Sequence, residues 1–277
     1  MGGRHVSEPL IDCHAHFLHP LCGRSDWKEV NAARFRAGEK IGVTCHVASV
    51  LGTYGFMSPT YFPSPGDVTL GNDAMLAMCG NEGRRARMMV TVNPNHTAHA
   101  LHEIERCVAA GAIGVKLLAS RRADDRLLDP VCTLAATHGL PVLHHIWQHR
   151  RREWPSQEIS DGADLARLAA RHPKVIFILA HIGGGGDYAH TFHALKDAPN
   201  ILADLSGSGV DRGMLDDAIK ALGARRLLWG SDVTMCTGLA KLRALDATGL
   251  LSADDVKDIR WRNAGRIFRA GTFEGAA

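Results

Sequence analysis

The sequence predicts one (β/α)₈ TIM barrel that spans residues 1–277 as a single domain. The chain has 277 residues, which suits this fold because single-domain α/β barrels contain about 250 residues. Strand-like runs recur eight times, with helical spacing between them. Within the run at 174–181, residues 175–180 are continuously apolar, as expected of a strand that is covered on both faces of a parallel sheet. An open doubly wound sheet is the alternative, but no Gly-x-Gly-x-x-Gly follows the first strand.

The predicted strands are short and rich in apolar and β-branched residues, and they recur at intervals of roughly 30 residues, as repeated βα units require. Between the third and fourth runs, Leu101, Ile104 and Val108 recur at a spacing of three and four, which predicts a helix. We expect the eight strands at 9–16, 43–50, 87–93, 112–118, 140–146, 174–181, 200–206 and 226–231.

The composition excludes several classes of protein. Hydrophobic residues make up 45% of the chain and charged residues 22%, so the chain can bury a full core and is not intrinsically disordered. A net charge of +3 is too small for a nucleic-acid partner or a charged membrane surface. Seven cysteines without a Cys-x-x-Cys indicate reduced thiols. We expect a cytoplasmic protein with a small-molecule substrate and no membrane partner, and homo-oligomerisation stays open.

The strongest local pattern is the motif at 10–16, Leu-Ile-Asp-Cys-His-Ala-His. Residues two apart on a strand face the same side, so Asp12, His14 and His16 are expected to point into the barrel together. Three buried polar groups are costly unless they have a partner. A divalent metal ion is the partner that two imidazoles favour, and a pair of hydrogen-bonded core histidines is the alternative.

Further polar residues follow later strands. His144 and His145 end the fifth run, His181 ends the sixth, and Asp232 follows the eighth. The C-terminal ends of barrel strands form the face on which active sites are built. The sequence therefore predicts that these side chains meet the two histidines of the first strand.

This combination resembles the amidohydrolase superfamily, and within it the amidohydrolase-related branch that includes the aminocarboxymuconate semialdehyde decarboxylases. The resemblance covers nearly the whole chain and is specific for the fold and the metal site rather than for a substrate. The motifs that carry it lie at 11–16, 72–73, 92–94, 114–117, 129–130, 139–145, 179–184, 205–207, 229–232 and 263–268.

The resemblance implies that His14, His16, His145 and Asp232 hold one divalent metal ion. Zn²⁺ is expected, with Mn²⁺, Co²⁺ and Fe²⁺ as alternatives. It also implies that His181 and Asp232 are the catalytic residues. Such an ion keeps a position open for water and lowers the pKa of that water to about 7. Asp232 would accept the proton of the attacking water, and His181 would steer or protonate the substrate.

Two details qualify this assignment. His144 precedes the implied ligand and is expected to face the barrel wall. The family usually has Asp-x-Pro after the Gly-Ser of the eighth strand, whereas the sequence here continues from Asp232 as Val-Thr-Met. The eighth βα loop is therefore expected to differ in shape.

Three further residues are predicted to bind the substrate. Lys116 lies at the end of the fourth strand, where it can bind a carboxylate, carry a carbamate that bridges two metal ions, or be structural. Tyr54 and Arg151 lie in two long connections, 52–72 and 147–160, and suggest a small, flat, anionic molecule. Alternatively, the aromatic residues of the first connection pack within their own loop, and the arginines of the second form a solvated surface run, without any contact to a substrate.

We predict a metal-dependent hydrolase that acts on a small, anionic ester, lactone or amide. A metal-dependent nonoxidative decarboxylase of an unsaturated or aromatic carboxylate is the alternative, because both reactions use the same ligands. Hydrolysis is favoured here because the chain lacks the long additional segments expected of the dimeric decarboxylases. A ligand-binding barrel without catalysis is the alternative from another class.

Overall fold

The computed structural model describes residues 8–50, 64–146, 159–182, 188–207, 213–232 and 235–275. Eight parallel strands form one sheet in chain order. An isolated parallel bridge between Ala15 and Asp232 joins the first strand to the end of the last, so the barrel is nearly closed. The predicted (β/α)₈ fold is confirmed.

Each strand overlaps one of the eight predicted runs. The strands are β1 Ile11–Phe17, β2 Cys45–Val50, β3 Ala86–Val92, β4 Gly114–Leu117, β5 Val142–His144, β6 Phe177–Leu179, β7 Ile201–Asp204 and β8 Leu227–Leu228. We call the end of the barrel formed by their C-terminal ends the barrel mouth.

Helices lie between the strands, and several begin at residues that cap them. Ser64 and Asp67 form a capping box at one helix start, and Asp161 and Asp164 form another; each box satisfies backbone N–H groups that the first helical turn leaves unpaired. Among the described residues, no helix is both long and apolar enough to cross a membrane. The helices are α1 Trp27–Ile41, α2 Pro65–Glu82, α3 Thr97–Ala109, α4 Asp129–His138, α5 Gly162–Arg171, α6 Tyr188–Leu195, α7 Met214–Leu222, α8 Met235–Ala247, α9 Ala253–Lys257 and α10 Asn263–Ile267.

Two apolar layers follow from the alternation of side chains along the strands. The larger layer packs between the strands and the surrounding helices. The smaller layer fills the barrel interior and includes Leu143, Ile178 and Leu202, together with Phe268 just after α10. Asn263 of α10 donates hydrogen bonds to the carbonyl of Leu227 at the start of β8, so α10 covers the end opposite the mouth.

A bulge in β1 changes the predicted direction of Asp12. The register with β2 shifts between Asp12 and Ala15, and such a shift changes which face the following side chains occupy. Cys13 belongs to the barrel interior and Ala15 to the outer layer, while His14 and His16 both reach the mouth. The expectation that Asp12 points inward with the two histidines is wrong, because it assumed unbroken alternation.

Asp12 instead lies between the barrel wall and α1. Its Oδ2 accepts a hydrogen bond from His46 Nδ1 at 2.8 Å, and the His46 ring packs edge-on against Phe17 and Phe35. Gly38 of α1 leaves room for this ring, since a Cβ atom there would lie 2.7 Å from His46 Nε2. A buried, hydrogen-bonded imidazole between two aromatic rings cannot move aside easily.

His144 faces the helices rather than the site. Val142 lies in the outer layer and Leu143 in the interior layer, so alternation turns His144 outward, as predicted. Its Nδ1 donates to the carbonyl of His145 at 2.8 Å, and its buried Nε2 has no hydrogen-bond partner in the part of the chain that the structure describes. Burial lowers the pKa of His144 to about 4.

We expect Gly38→Ala to lower the free energy of unfolding by about 1–3 kcal/mol, the usual cost of overpacking a core. Gly80→Ala is the matched control, because a Cβ on this helical glycine meets nothing within 4 Å. It should be neutral or stabilising by up to about 1 kcal/mol through helix propensity. Urea unfolding of the two variants measures the difference, and equal stabilities would contradict the packing described for His46.

We also expect the metal-free protein to lose stability as the pH falls from about 6.5, the pKa of an unfolded histidine, to about 4. In this range the unfolded chain binds the proton that folded His144 refuses, so the free energy of unfolding decreases by up to about 3 kcal/mol. His144→Asn keeps a hydrogen-bond donor near the position of Nδ1 but does not titrate. Its unfolding free energy should have a shallower pH slope over this range, and an unchanged slope would contradict the assignment.

Candidate functional site

The predicted site residues lie at the C-terminal ends of the strands, as their order in the sequence requires. His14 and His16 are on β1, His145 follows β5 directly, and His181 and Asp232 follow β6 and β8. The four histidines are at most 5% exposed, and the Asp232 side chain is 19% exposed. We call these five residues the site cluster.

The distances within the site cluster are short. His14 Nε2 lies 3.0 Å from His16 Nε2. Asp232 Oδ1 lies 3.4 Å from His16 Nε2 and 3.8 Å from His14 Nε2, and Asp232 Oδ2 lies 3.7 Å from His181 Nδ1. His145 joins the cluster through its Nδ1, 3.0 Å from His181 Nε2. Residues that are far apart in the chain therefore converge on one small volume.

The donor atoms suit a divalent metal ion. One ligand atom each of His14, His181 and Asp232 lies within 4.8 Å of the others, and His16 lies beside them. Burial, reinforced by the Lys116 ammonium, lowers the pKa values of His14 and His16 well below the usual value. The imidazoles are therefore neutral near pH 7, which is the form that binds metals. A set of imidazoles with one carboxylate is typical of zinc and related ions.

His181 and Asp232 both have a left-handed backbone, with φ values of 68° and 56°. This conformation is strained for residues other than glycine, and such strain concentrates at functional sites. The His181 N–H donates to Asp204 Oδ1 at 3.1 Å, and the Asp232 N–H donates to the carbonyl of His14 at 2.7 Å. Gly207 provides the space beside His181, since a Cβ atom there would lie 3.0 Å from His181 Cβ.

Lys116 is fully buried on β4, and its Nζ lies 2.9 Å from His14 Nε2. Burial lowers the pKa of Lys116, while Asp232 and Asp204 oppose this shift. Burial raises the pKa of Asp232, and the Lys116 ammonium opposes that shift. A cation and a carboxyl group thus share the mouth with the imidazoles.

Asp204 and Ser206 were not predicted as site residues. Asp204 is the last residue of β7 and is fully buried; its Oδ2 accepts from His14 Nδ1 at 2.9 Å. Ser206 Oγ lies 3.0 Å from His14 Nδ1 and 3.2 Å from His181 Nδ1. A carboxylate at the end of an apolar strand was the signal available in the sequence, and it matches the signal that identified Asp232.

Arg34 of α1 is a third residue that the sequence did not indicate. Its Nη2 donates to Ser231 Oγ at 2.6 Å and to the carbonyl oxygen of Asp232. Asp12 also binds Ser231, because its carboxylate accepts a hydrogen bond from the Ser231 N–H at 2.8 Å. A helix on the outside of the barrel therefore helps to hold the residue that follows β8. The predicted substrate-binding residues Tyr54 and Arg151 lie outside the described residues.

The chain is similar to a known protein family and to several solved structures. A family model described as amidohydrolase matches residues 11–270, and a search of curated protein sequences finds no match. Solved structures with the same fold include 2,6-dihydroxybenzoate decarboxylase in complex with 2,6-dihydroxybenzoate. Its TM-score is 0.73 at 17% identity, over 94% of this chain and 98% of that chain.

Two further structures are similar over comparable lengths. 5-Carboxyvanillate decarboxylase from Sphingomonas paucimobilis has a TM-score of 0.72 at 18% identity, over 95% of this chain and 100% of that chain. A dihydroxybenzoic acid decarboxylase from a Polaromonas species, with bound manganese and the inhibitor 2-nitroresorcinol, has a TM-score of 0.70 at 18% identity, over 96% and 99% of the two chains. Identities this low show a shared fold only. The resemblance inferred from the motifs is confirmed by the family model, which matches nearly the whole barrel, and the chain belongs to the amidohydrolase family.

Proposed function

We propose that this protein is a metal-dependent nonoxidative decarboxylase of a small aromatic or unsaturated carboxylate. The observation that carries the proposal is the convergence of His14, His16, His181 and Asp232 at the barrel mouth. Decarboxylases with the same fold support this reaction over the hydrolysis that the sequence led us to favour. Decarboxylation, which the sequence offered only as the alternative to hydrolysis, is therefore the function that we propose.

The reason for favouring hydrolysis is weakened by the comparisons. Hydrolysis was favoured because the chain lacks the long additional segments expected of the dimeric decarboxylases. The similarity to 2,6-dihydroxybenzoate decarboxylase extends over 98% of that chain, so length no longer separates the two reactions. Hydrolysis of an ester, lactone or amide is the competing outcome of the test below.

We propose that His14, His16, His145 and Asp232 hold one divalent ion. The neutral imidazoles of His14 and His16 and the adjacent carboxylate support this. The ligand atoms nearest to His14 and Asp232 include one of His181, which His145 contacts, so His181 is the competing fourth ligand. A similar decarboxylase contains manganese, so Mn²⁺ is as good a candidate as the Zn²⁺ expected from the sequence. When bound, such an ion would supply a positive charge that polarises oxygen atoms of the substrate.

Decarboxylation breaks the bond between a carbon atom and its carboxylate, releases CO₂ and requires a proton at that carbon. Asp232 is the proposed proton donor as well as a proposed ligand, because its Oδ1 faces the histidines of β1 while its Oδ2 faces His181 and could carry the proton. Burial raises the pKa of Asp232, which favours the protonated form, and a bound ion would oppose that shift. A group whose pKa lies near the working pH can both donate a proton and regain it from water. His181, fixed at its backbone by Asp204, would orient an oxygen atom of the substrate.

We propose that Lys116 binds the substrate carboxylate or a neighbouring phenolate oxygen as a cation. Its complete burial beside the site cluster supports this role, since a buried ammonium needs a negative partner. A bridging carbamate and a purely structural lysine are the other roles stated above. The assignments of Tyr54 and Arg151, the single domain over 1–277, the cytoplasmic location and homo-oligomerisation stay predictions.

Purified protein loaded with Mn²⁺ or Zn²⁺ should release CO₂ from 2-hydroxybenzoate-type acids and should lose this activity in chelator. Asp232→Asn should lower turnover at least roughly 100-fold, because general acid catalysis contributes about 10²–10⁴. Asp129→Asn is the control, since Asp129 bonds His172 and Arg171 on the helical shell instead. Lactone or ester hydrolysis without CO₂ release would favour the hydrolase, and full activity in metal-free protein would contradict both reactions.

Lys116→Met should raise KM for a carboxylate substrate by roughly tenfold or more with a smaller change in kcat, because a hydrogen bond to a charged group contributes about 1.5–3 kcal/mol. Lys116→Arg should recover part of the affinity. Native mass measurement with metal counting tests the alternative: an added carbamate mass with two metal ions per chain would contradict a free ammonium. An unchanged KM in Lys116→Met would indicate a structural lysine.

A further inference from the structure

Asp204 divides its two carboxylate oxygens between different kinds of donor. Oδ1 accepts from two backbone N–H groups, those of His181 at 3.1 Å and Ser206 at 2.8 Å. Oδ2 accepts from the ring nitrogen Nδ1 of His14 at 2.9 Å. A backbone N–H can only donate, so the orientation of the carboxyl group is fixed by the chain itself.

The other ring nitrogen of His14 faces a second donor. Lys116 Nζ lies 2.9 Å from His14 Nε2, and an ammonium group has hydrogens to donate and no lone pair. His14 is therefore bracketed by an acceptor at Nδ1 and a donor at Nε2. Only the neutral tautomer with its proton on Nδ1 and a lone pair on Nε2 satisfies both contacts.

We propose that Asp204 is a positioning residue that fixes His14 in the Nδ1–H tautomer and so keeps the Nε2 lone pair directed at the metal position. This inference rests on the metal centre of the proposed function, and it is independent of the reaction. Carboxylates that accept from the non-ligating nitrogen of a metal-binding histidine act in this way in many metal sites.

The geometry predicts an unusual effect of replacing Asp204 by asparagine. The two backbone N–H groups require an acceptor, so the amide oxygen takes the place of Oδ1. The amide NH₂ then takes the place of Oδ2 and faces His14 Nδ1. Because NH₂ can only donate, a proton on His14 Nδ1 then faces a second donor and the Nδ1–H tautomer loses its acceptor at Oδ2. The Lys116 ammonium still opposes a proton at Nε2, so this nearly isosteric substitution moves the tautomer population toward Nε2–H, where the lone pair is blocked, rather than exchanging one tautomer fully for the other.

Ser206 provides the matched control. Its Oγ contacts the same His14 Nδ1 at 3.0 Å, but a hydroxyl can donate or accept and imposes no tautomer. Its backbone N–H, which orients Asp204, is retained in Ser206→Ala. This variant should therefore lose a neighbour of His14 without moving the ring proton.

The test reads the tautomer directly in metal-free protein by ¹⁵N NMR of labelled histidines, with the His14 signals assigned from His14→Gln. We expect the proton on Nδ1 in the wild type and in Ser206→Ala, and a tautomer population shifted measurably toward Nε2–H in Asp204→Asn. Titration with Mn²⁺, with free ion counted by EPR, should show Kd raised about 10–100-fold in Asp204→Asn, the usual effect of losing such a partner, and a smaller change in Ser206→Ala.

A wild-type His14 that carries its proton on Nε2 would overturn the proposal, and this measurement needs no variant to fold. A folded Asp204→Asn with the wild-type tautomer and wild-type Kd would overturn it as well. The two hypotheses fail separately: a wild type that binds no Mn²⁺ contradicts the metal centre of the proposed function, while absence of CO₂ release contradicts only the reaction.

Discussion

The removal of a polar cluster from water at the barrel mouth is the constraint on which the rest of this structure depends. Imidazoles and carboxyl groups lose their hydration there, and each has to be compensated by a hydrogen bond or an opposite charge. Asp204 compensates His14, Ser49 Oγ lies 3.1 Å from His16 Nδ1, and His181 contacts His145. The lowered pKa values of these histidines follow from the same burial. Burial of the site cluster therefore requires a surrounding hydrogen-bond network, and few substitutions in that network would leave every buried imidazole with a partner.

The bulge in β1 lets one short strand serve two such networks. Before the shift, Asp12 reaches outward to His46 and to Ser231, which precedes Asp232. Within the shift His14, and after it His16, reach inward to the Asp232 carboxylate itself. The outer contacts therefore hold the backbone of Asp232 while the inner ones meet its side chain. The left-handed backbone at Asp232, which costs about 1–3 kcal/mol in general, is stabilised from both sides of the barrel wall.

Much of this arrangement could be predicted from the sequence, because it depends on local pattern. Apolar runs at βα spacing located all eight strands, and polar residues at their ends predicted that His16, His181 and Asp232 would lie together at the mouth. The outward turn of Asp12 could not be predicted, because a bulge depends on pairing with β2 rather than on the residues of β1 alone. Arg34 was missed for a related reason: it lies 197 residues before the serine it binds, and nothing in the α1 sequence distinguishes it from a surface arginine.

Asp204 shows a different limit of sequence reasoning. It ends an apolar strand just as Asp232 follows one, yet Asp204 is the proposed positioning residue of a candidate ligand, whereas Asp232 is itself a candidate ligand and proton donor. The difference lies in what each carboxylate faces. Two backbone N–H groups and an imidazole commit both oxygens of Asp204, whereas the Asp232 side chain stays 19% exposed toward the mouth. Only a group with uncommitted lone pairs and access to substrate can exchange protons with it.

The same electrostatic balance separates the two reactions that this family of sites can support. Hydrolysis requires Asp232 to begin as a carboxylate that accepts a proton from water, whereas decarboxylation requires it to begin protonated. Burial favours the protonated form, and the neighbouring Lys116 ammonium favours the carboxylate. A substrate anion that pairs with Lys116 would offset that opposing charge. Under the proposed function, binding of a carboxylate at Lys116 would therefore favour protonation of Asp232, whereas the bound ion would favour the carboxylate, so the protonation state depends on how Asp232 divides its two oxygens between the ion and the substrate.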